Sequence, residues 1–329
     1  MKETPSFSVV IPLHNKEQHI SRAVESVIRQ SYRDFELIVV NDGSTDNSMS
    51  IIRKFGNHLK IIEQQNKGVS SARNTGIRQA KNDYIAFLDA DDEWHFDFLS
   101  HIASMIRDFP QAGIYCTNYY KKLGKQTTLA CSTTSNTEPC TIKYFSIAAY
   151  DSTPVSSSSV CIPRKVLEHA GLFPENIRLY EDLYLWIKIS LEYDLVFDNE
   201  PLATYHRDAF DRSCNKIAPD RNSLPFVALI ETTAANKTMD DNERIAASVF
   251  INKYALLNAF KAATANNVAE SRLILSGIIP VGKQQTLRKH LIGIYCLLPS
   301  LLRKNIWQNT RNLKSAISFL KGRDTTPLI

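Results

Sequence analysis

Four short apolar runs lie between residues 7 and 88, each followed by polar turn residues, and helical spacing fills the gaps between them. Residues 7–11 (FSVVI), 35–40 (FELIVV), 59–62 (LKII) and 84–88 (YIAFL) are too short for helices and rich in β-branched and aromatic side chains, so they read as strands. After the first, Ile20, Ala23, Val24, Val27 and Ile28 recur on one face of a helix. Met49, Ile52 and Phe55 repeat that spacing after the second run, and Val69, Ala72, Gly76, Ile77 and Ala80 after the third. Strands alternating with helices imply an α/β chain: a parallel sheet with right-handed crossovers and helices on its faces. Ligands of such sheets bind beyond the carboxyl ends of the strands. Here those ends are Pro12-Leu13-His14-Asn15, Asn41-Asp42-Gly43-Ser44-Thr45-Asp46 and Asp89-Ala90-Asp91-Asp92.

Further along, residues 121–138 are polar, rich in Ser and Thr, and read as a loop. Residues 152–162 are Ser-rich with room for a short strand, 164–170 read as a helix with Gly171 at its C-cap, and 183–191 as an aromatic helix directly after Glu181-Asp182. Past Pro219 the strand signals fade, and from Pro225 the chain reads as helical. The expected division is a catalytic domain over 1–218 and a helical, basic region over 219–329, with no internal repeat.

A chain of 329 residues, 43% apolar and 22% charged, is neither disordered nor too small for a large core. None of its six cysteines forms C-x-x-C or sits at zinc-ligand spacing from a histidine, which points to reduced thiols and a cytoplasmic setting. The first residues have no apolar core of a signal peptide, and no apolar run reaches the roughly 18 residues that span a bilayer. Charge is uneven. Residues 281–329 hold nine Lys or Arg against Asp324 alone, a net +8, which leaves −3 of the whole chain's +5 for residues 1–280. That asymmetry suits a tail facing anionic lipid or another polyanion, or a solvated basic face. Residues 291–302 form a short apolar run broken by Pro299, with Lys289 and His290 before it and Arg303 and Lys304 after. It fits either an interfacial segment or a helix packed on protein.

The acids carry the chemistry. Two carboxylates one residue apart at a strand end, Asp89 and Asp91, can share a hard cation with phosphate oxygens, although acidic loops are common. Asp42 can accept from a base N–H or cap the next helix. Asp46 reads as such a cap. Arg73 can reach a phosphate or lie solvated on its helix. Glu181-Asp182 can supply a general base or stabilise a helix N-terminus.

Together these segments resemble glycosyltransferase family 2, whose members have the GT-A fold. That fold is a Rossmann-like nucleotide-diphospho-sugar transferase core, a mostly parallel sheet flanked by helices, here with a C-terminal helical appendage. The matching stretches are Val9-Val10-Ile11-Pro12-Leu13-His14-Asn15, Val39-Val40-Asn41-Asp42-Gly43-Ser44-Thr45-Asp46, Asn66-Lys67-Gly68 with Ala72-Arg73-Asn74 and Gly76, residues 84–92, and Gly171-Leu172-Phe173 followed by Glu181-Asp182. The resemblance spans roughly residues 7–206.

The resemblance implies that Pro12 and His14 border the nucleotide base and that Asp42 bonds to it. Arg73 then lies near the diphosphate or base, Asp89 near the ribose, and Asp91, with Asp89, at a Mn²⁺ or Mg²⁺ ion. Asp182 is the implied catalytic base, Glu181 shapes the acceptor site, and His206 and Arg207 fall where a basic contact to the diphosphate is often found. His14 stands where many members have tyrosine, and Asn41 where many have a first aspartate. The implied reaction is inverting transfer from a nucleotide-diphosphate sugar, UDP-linked by default, to an acceptor hydroxyl. Its setting is bacterial surface polysaccharide assembly, with a glycan or lipid-linked glycan acceptor and no nucleic acid. Location follows as cytoplasmic, peripheral on the inner face of the inner membrane. An NAD(P) enzyme would need G-x-G-x-x-G at the first turn, and a nucleotidyltransferase a Gly-rich basic loop; both are absent. A non-catalytic nucleotide-sugar-binding or scaffolding protein of the same fold would be expected to lack Asp91 or Asp182, and both are present.

Overall fold

The computed structural model describes residues 4–132, 136–207, 224–236 and 239–300. The strands in chain order are β1 (Phe7–Leu13), β2 (Phe35–Asp42), β3 (Lys60–Gln64), β4 (Tyr84–Phe87), β5 (Glu93–Trp94), β6 (Ile114–Leu123), β7 (Gln126–Leu129), β8 (Cys140–Ile142), β9 (Val160–Pro163) and β10 (Leu195–His206). The helices are α1 (Ile20–Ile28), α2 (Ser48–Arg53), α3 (Val69–Gln79), α4 (Phe98–Asp108), α5 (Tyr144–Ala148), α6 (Arg164–Ala170), α7 (Glu181–Ser190), α8 (Val227–Ala235), α9 (Asp241–Thr264), α10 (Val268–Ser276) and α11 (Gly282–Tyr295).

The chain divides into two units. Met1–Tyr144 with Thr153–Phe210 form the first, and Phe145–Ser152 with Asp211–Ile329 the second.

The first unit is built on one sheet in the order β3-β2-β1-β4-β9-β6-β10-β5, with β7 added to β6 and β8 to β10. Strands β1 to β4 are mutually parallel, as the alternation requires, and β6 and β10 are parallel to each other. Strand β9 lies between β4 and β6 and runs against both, so the six long strands still point the same way. All seven residues of β1 are buried, which is why its sequence is apolar without alternation: both faces are covered. Edge strand β3 has no buried residue: Lys60 and Glu63 are exposed and the other three are partly so. Helix α3 packs close on β1 because Gly76 has no side chain; a Cβ there would stand 2.3 Å from Val10 Cγ1.

Gly171 ends α6 in the left-handed conformation, φ 87°, as its position predicts. Residues 121–138 depart from the expected loop. Part of the stretch continues β6, turns at Gly124 (φ 56°), and returns as β7, with Tyr120 opposite Leu129 and Leu123 opposite Gln126. The hairpin is polar because most of its residues are exposed, so hydrophobic alternation did not mark it.

The second unit has a helical core of Leu256, Ala259, Ala263, Ile274, Leu275, Ile278 and Ile292. Asp240 caps α9 by accepting from Glu243 N at 2.8 Å. Buried Asn252 on α9 donates to Ile279 O (2.6 Å) and to Gln285 Oε1 (3.0 Å), and Gln285 Nε2 donates to Val249 O (3.2 Å). These bonds tie the α10–α11 connection to α9. Among the described residues Cys116, Cys131, Cys140, Cys161 and Cys296 form no disulfide.

Candidate active site

The crevice opens where β1 and β4 part. Their pairing ends at Val10 and Phe87, and Leu88 N makes the last bond, to Val10 O (3.2 Å). Alternate residues of a strand bond to the same side, so Pro12 faces β4 beyond the point where the ladder stops, and its missing N–H leaves no bond unmade. Pro12 itself is buried at the carboxyl end of β1.

The next residues knit the ends of β1 and β2 together. Exposed His14 has Nδ1 2.8 Å from Asp42 O, and a carbonyl only accepts, so Nδ1 carries the proton. Nε2 then accepts from Asn66 Nδ2 at 3.2 Å. Asn15 takes φ 51° and its Oδ1 accepts from Thr45 N (2.8 Å). Asp46 accepts from Ser48 N and Glu17 N, both at 3.0 Å, and is a structural cap as expected. Asp42 is buried. Its Oδ1 accepts from Gln64 Nε2 (2.8 Å) and Lys67 N (2.9 Å), and Oδ2 from Gly68 N (2.8 Å). It therefore anchors the start of α3, not of α2. A carboxylate has about four acceptor positions, and Asp42 keeps one on Oδ2 for a ligand.

Arg73, one and a half turns into α3, is the hub. Its side chain is 4% exposed and lies 5.1 Å from the Phe173 ring centre. Nη2 donates to Asp89 Oδ1 at 2.8 Å and Nη1 to Glu181 Oε1 at 3.4 Å. Residues 73, 89 and 181 come from three elements, so one guanidinium draws the end of β4 and the start of α7 together. Burial acts to lower the Arg73 pKa, but Asp89, then Glu181 and Asp182, outweigh it and hold the cation.

Asp182 lies beside Glu181 in the first turn of α7, with Ser157 Oγ 3.4 Å from its Oδ2 and Leu183 N donating to Oδ1 at 2.8 Å. Burial raises its pKa while Arg73 opposes. Glu181 is pushed up to about 7 by burial and then by Asp182, against Arg73. Tyr180, just before them, sits at φ 66°, a conformation costly for a bulky residue and often found at functional sites.

The acidic loop is held from both sides. Lys16 Nζ pairs with Asp91 Oδ2 at 2.8 Å, and the Arg22 guanidinium donates to Asp91 O. Asp92 is fully buried, accepting from Ser158 Oγ (2.5 Å) and His206 N (2.9 Å). Its pKa is driven up by burial, then by Asp91 and Asp89. His206 Nε2 meets Glu93 Oε1 at 2.9 Å, so His206 braces this loop. Arg207 is exposed, and its N donates to Lys122 O at 2.8 Å. Ser158 also accepts from Asp89 N (3.2 Å) and, through its carbonyl, from Trp94 Nε1 (2.7 Å).

Among the described residues no three His, Cys, Asp or Glu converge as a metal cage. Asp89 Oδ2 and Asp91 Oδ1 take no hydrogen bond among the described residues, and Mg²⁺ or Mn²⁺ commonly uses one or two carboxylates plus ligand phosphates.

Sequence reasoning missed Lys16, Asp92, Ser157 and Ser158. The Ser-rich stretch of residues 156–159 was a visible signal, but nothing in it told a hydrogen-bonded loop from a solvated one.

A sheet with this strand order, carrying acids at the ends of β2 and β4 and before α7, has the GT-A architecture. The S. aureus TarS fragment 1–349 crystallised with UDP-GlcNAc has the same fold: TM-score 0.66 at 16% identity, over 93% of this chain and 92% of that one. Residues 8–169, just under half of the chain, match the model of Glycosyl transferase family 2. Curated relatives agree. Glycosyltransferase GlyA of Streptococcus pneumoniae is 38% identical over 117 residues, 35% of this chain and 17% of that protein. Uncharacterized glycosyltransferase RP339 of Rickettsia prowazekii is 28% identical over 204 residues, 60% of this chain and 63% of that protein. The chain thus spans less than two thirds of the length of either.

Proposed function

We propose that the protein transfers a sugar from a nucleotide-diphosphate sugar to an acceptor hydroxyl with inversion at the anomeric carbon. The observation that carries this reading is the meeting of Asp89, Glu181 and Asp182 around the Arg73 guanidinium. It puts an acid with a raised pKa beside the strand end where a donor binds. A base of that kind is poised to take a hydroxyl proton near neutral pH, worth about 10²–10⁴-fold in rate. Asp182 is the base and Glu181 lines the acceptor side. Attack by the deprotonated oxygen in a single displacement inverts the centre.

The donor lies across the ends of β1, β2 and β4. His14 and Pro12 border its base, the remaining lone pair of Asp42 accepts a base N–H, and Asp89 faces the ribose. Arg73 is already neutralised, so it adds little net positive charge for the diphosphate. That charge balance favours a divalent cation: Asp91 and Asp89 would hold Mn²⁺ or Mg²⁺. When bound, the ion neutralises charge developing on the leaving diphosphate. Lys16 and Arg22 keep Asp91 in place. A uridine nucleotide and an N-acetylhexosamine or hexose are the favoured donor classes, supported by the UDP-GlcNAc complex of the similar fold. The acceptor is a glycan or lipid-linked glycan of a surface polysaccharide, assembled at the cytoplasmic side of the membrane.

The deciding experiment offers a panel of nucleotide sugars with Mn²⁺ or Mg²⁺ and measures nucleoside diphosphate release. Release is expected to stop with a chelator and return with either ion. Asp182→Asn is expected to lose about 10²–10⁴-fold in turnover while donor affinity is kept. Donor binding without release from the unmodified protein would make it a binding protein of the same fold.

A further inference from the structure

Among the described residues, eleven large apolar side chains are exposed, and seven of them fall between residues 273 and 297. Single exposed leucines are ordinary, but a contiguous row is not. On α11, Leu287, Leu291 and Ile294 follow at i, i+4 and i+7, so they share one exposed face, beside the face of the buried Gln285, Arg288, Ile292 and Tyr295. Leu297 (71%) and Ile279 (83%) are also exposed just beyond each end of the helix. Lys283 and His290 are exposed on the same side of α11, and Arg272 is exposed on α10.

The surrounding charge is one-sided. From residue 265 to 300 the only acid is Glu270, against exposed Arg272 and Lys283, half-buried Lys289 and buried Arg288, and the sequence of 301–329 adds six Lys or Arg and one Asp. A protein partner that matched the leucines would still have to supply acids for these cations, and a second copy would bring like charge against like. An anionic bilayer surface meets both demands at once, with acyl chains for the row and phosphate for the cations. No helix of the described residues is long and apolar enough to cross a membrane, so the contact lies in the interface plane.

We propose that the exposed face of α11 is a docking surface for a bilayer containing anionic lipid. The proposal stands independently of the transferase reading. Each apolar side chain that enters the interface adds to binding, and the cations make the contact sensitive to salt.

The test is co-sedimentation of the full chain with phosphatidylcholine vesicles, with or without about a third phosphatidylglycerol. The mixed vesicles are expected to bind at least about tenfold more protein than the neutral ones, with loss at high salt. Leu287→Asp with Ile294→Asp is expected to cut partitioning at least about tenfold. A second variant guards against misfolding: Leu291→Trp places an indole on the row, and its emission is expected to shift to the blue on mixed vesicles only. Absent binding, binding untouched by the Asp substitutions, or an unshifted indole overturns the proposal. So does a concentration-dependent dimer that the same Asp substitutions dissolve, because the row would then face a second copy. Nucleotide-sugar turnover is read separately and decides only the transferase reading.

Discussion

Arg73 shows how a buried charge is made tolerable. A lone guanidinium so far from water would cost several kcal/mol, and Asp89 and Glu181 repay this only through direct bonds of 2.8 and 3.4 Å. Removing the cation leaves partly buried carboxylates uncompensated. Arg73→Met is therefore expected to lower unfolding free energy by about 3 kcal/mol at pH 8 in a denaturant titration. The loss should shrink at pH 5, where Glu181 and Asp182, raised by burial, can protonate. Arg73→Lys should restore little, because a point charge cannot bond two carboxylates in a fixed fork. The same cluster sets a pH dependence. Glu181 and Asp182 titrate as a pair whose raised pKa leaves it partly protonated just below neutrality. A base must be deprotonated to act, so kcat/KM is expected to rise with pH through an acid limb near 7. Glu181→Gln removes one of the two acids, and the limb should move to lower pH; an unchanged limb would assign it to another group.

At the level of elements, helix α3 is placed by an absence. Gly76 lets the helix sit against Val10, and a methyl there would need about an ångström of movement to reach ordinary contact with Val10 Cγ1. Gly76→Ala is expected to destabilise by about 1–3 kcal/mol through overpacking, although alanine favours helices. A rise in melting temperature would show that α3 can move away freely. The elements most legible in the sequence were of this buried kind. Strands β1, β2 and β4 and helix α1 carry core on uninterrupted or strictly periodic apolar positions, and those patterns have few other solutions. The β6–β7 hairpin was not legible because its exposed residues satisfy no burial pattern. Strand β9 was visible only as room for a strand in a Ser-rich stretch, and its antiparallel insertion depends on partners more than 40 residues away in β6 and more than 70 in β4. The site was legible to the extent that strand ends name it: Asp42, Asp89, Asp91, Glu181 and Asp182 could be singled out as residues. Their bonding could not. Arg73 reads as a helix arginine until the fold brings Glu181, 108 positions later, to within 3.4 Å.

For the molecule as a whole, two units with separate cores imply two unfolding events. On the proposed reading, a uridine nucleotide bound at the ends of β1, β2 and β4 would stabilise the state it binds, by about 2.7 kcal/mol at a concentration of 100 times Kd. In scanning calorimetry it is expected to raise the transition of the sheet unit and leave that of the helical unit where it was. Equal movement of both transitions would show that the two unfold as one. The charge of the chain divides along similar lines. Residues 1–280 carry −3 and the remainder +8. Phosphate-rich ligands are thus attracted to the tail by its charge, and added salt should weaken that attraction.

Asp42 carries a consequence of its own. Its carboxylate receives the amides of Lys67 and Gly68, and Arg73 stands less than two turns further along the helix those amides open. A nucleobase that takes the remaining lone pair would share one carboxylate with the thread from which the guanidinium hangs. Recognition of the base and arrangement of the acids are then mechanically linked: Asp42→Asn, which trades an acceptor for a donor, should slacken both, and Asp42→Ala should slacken them further.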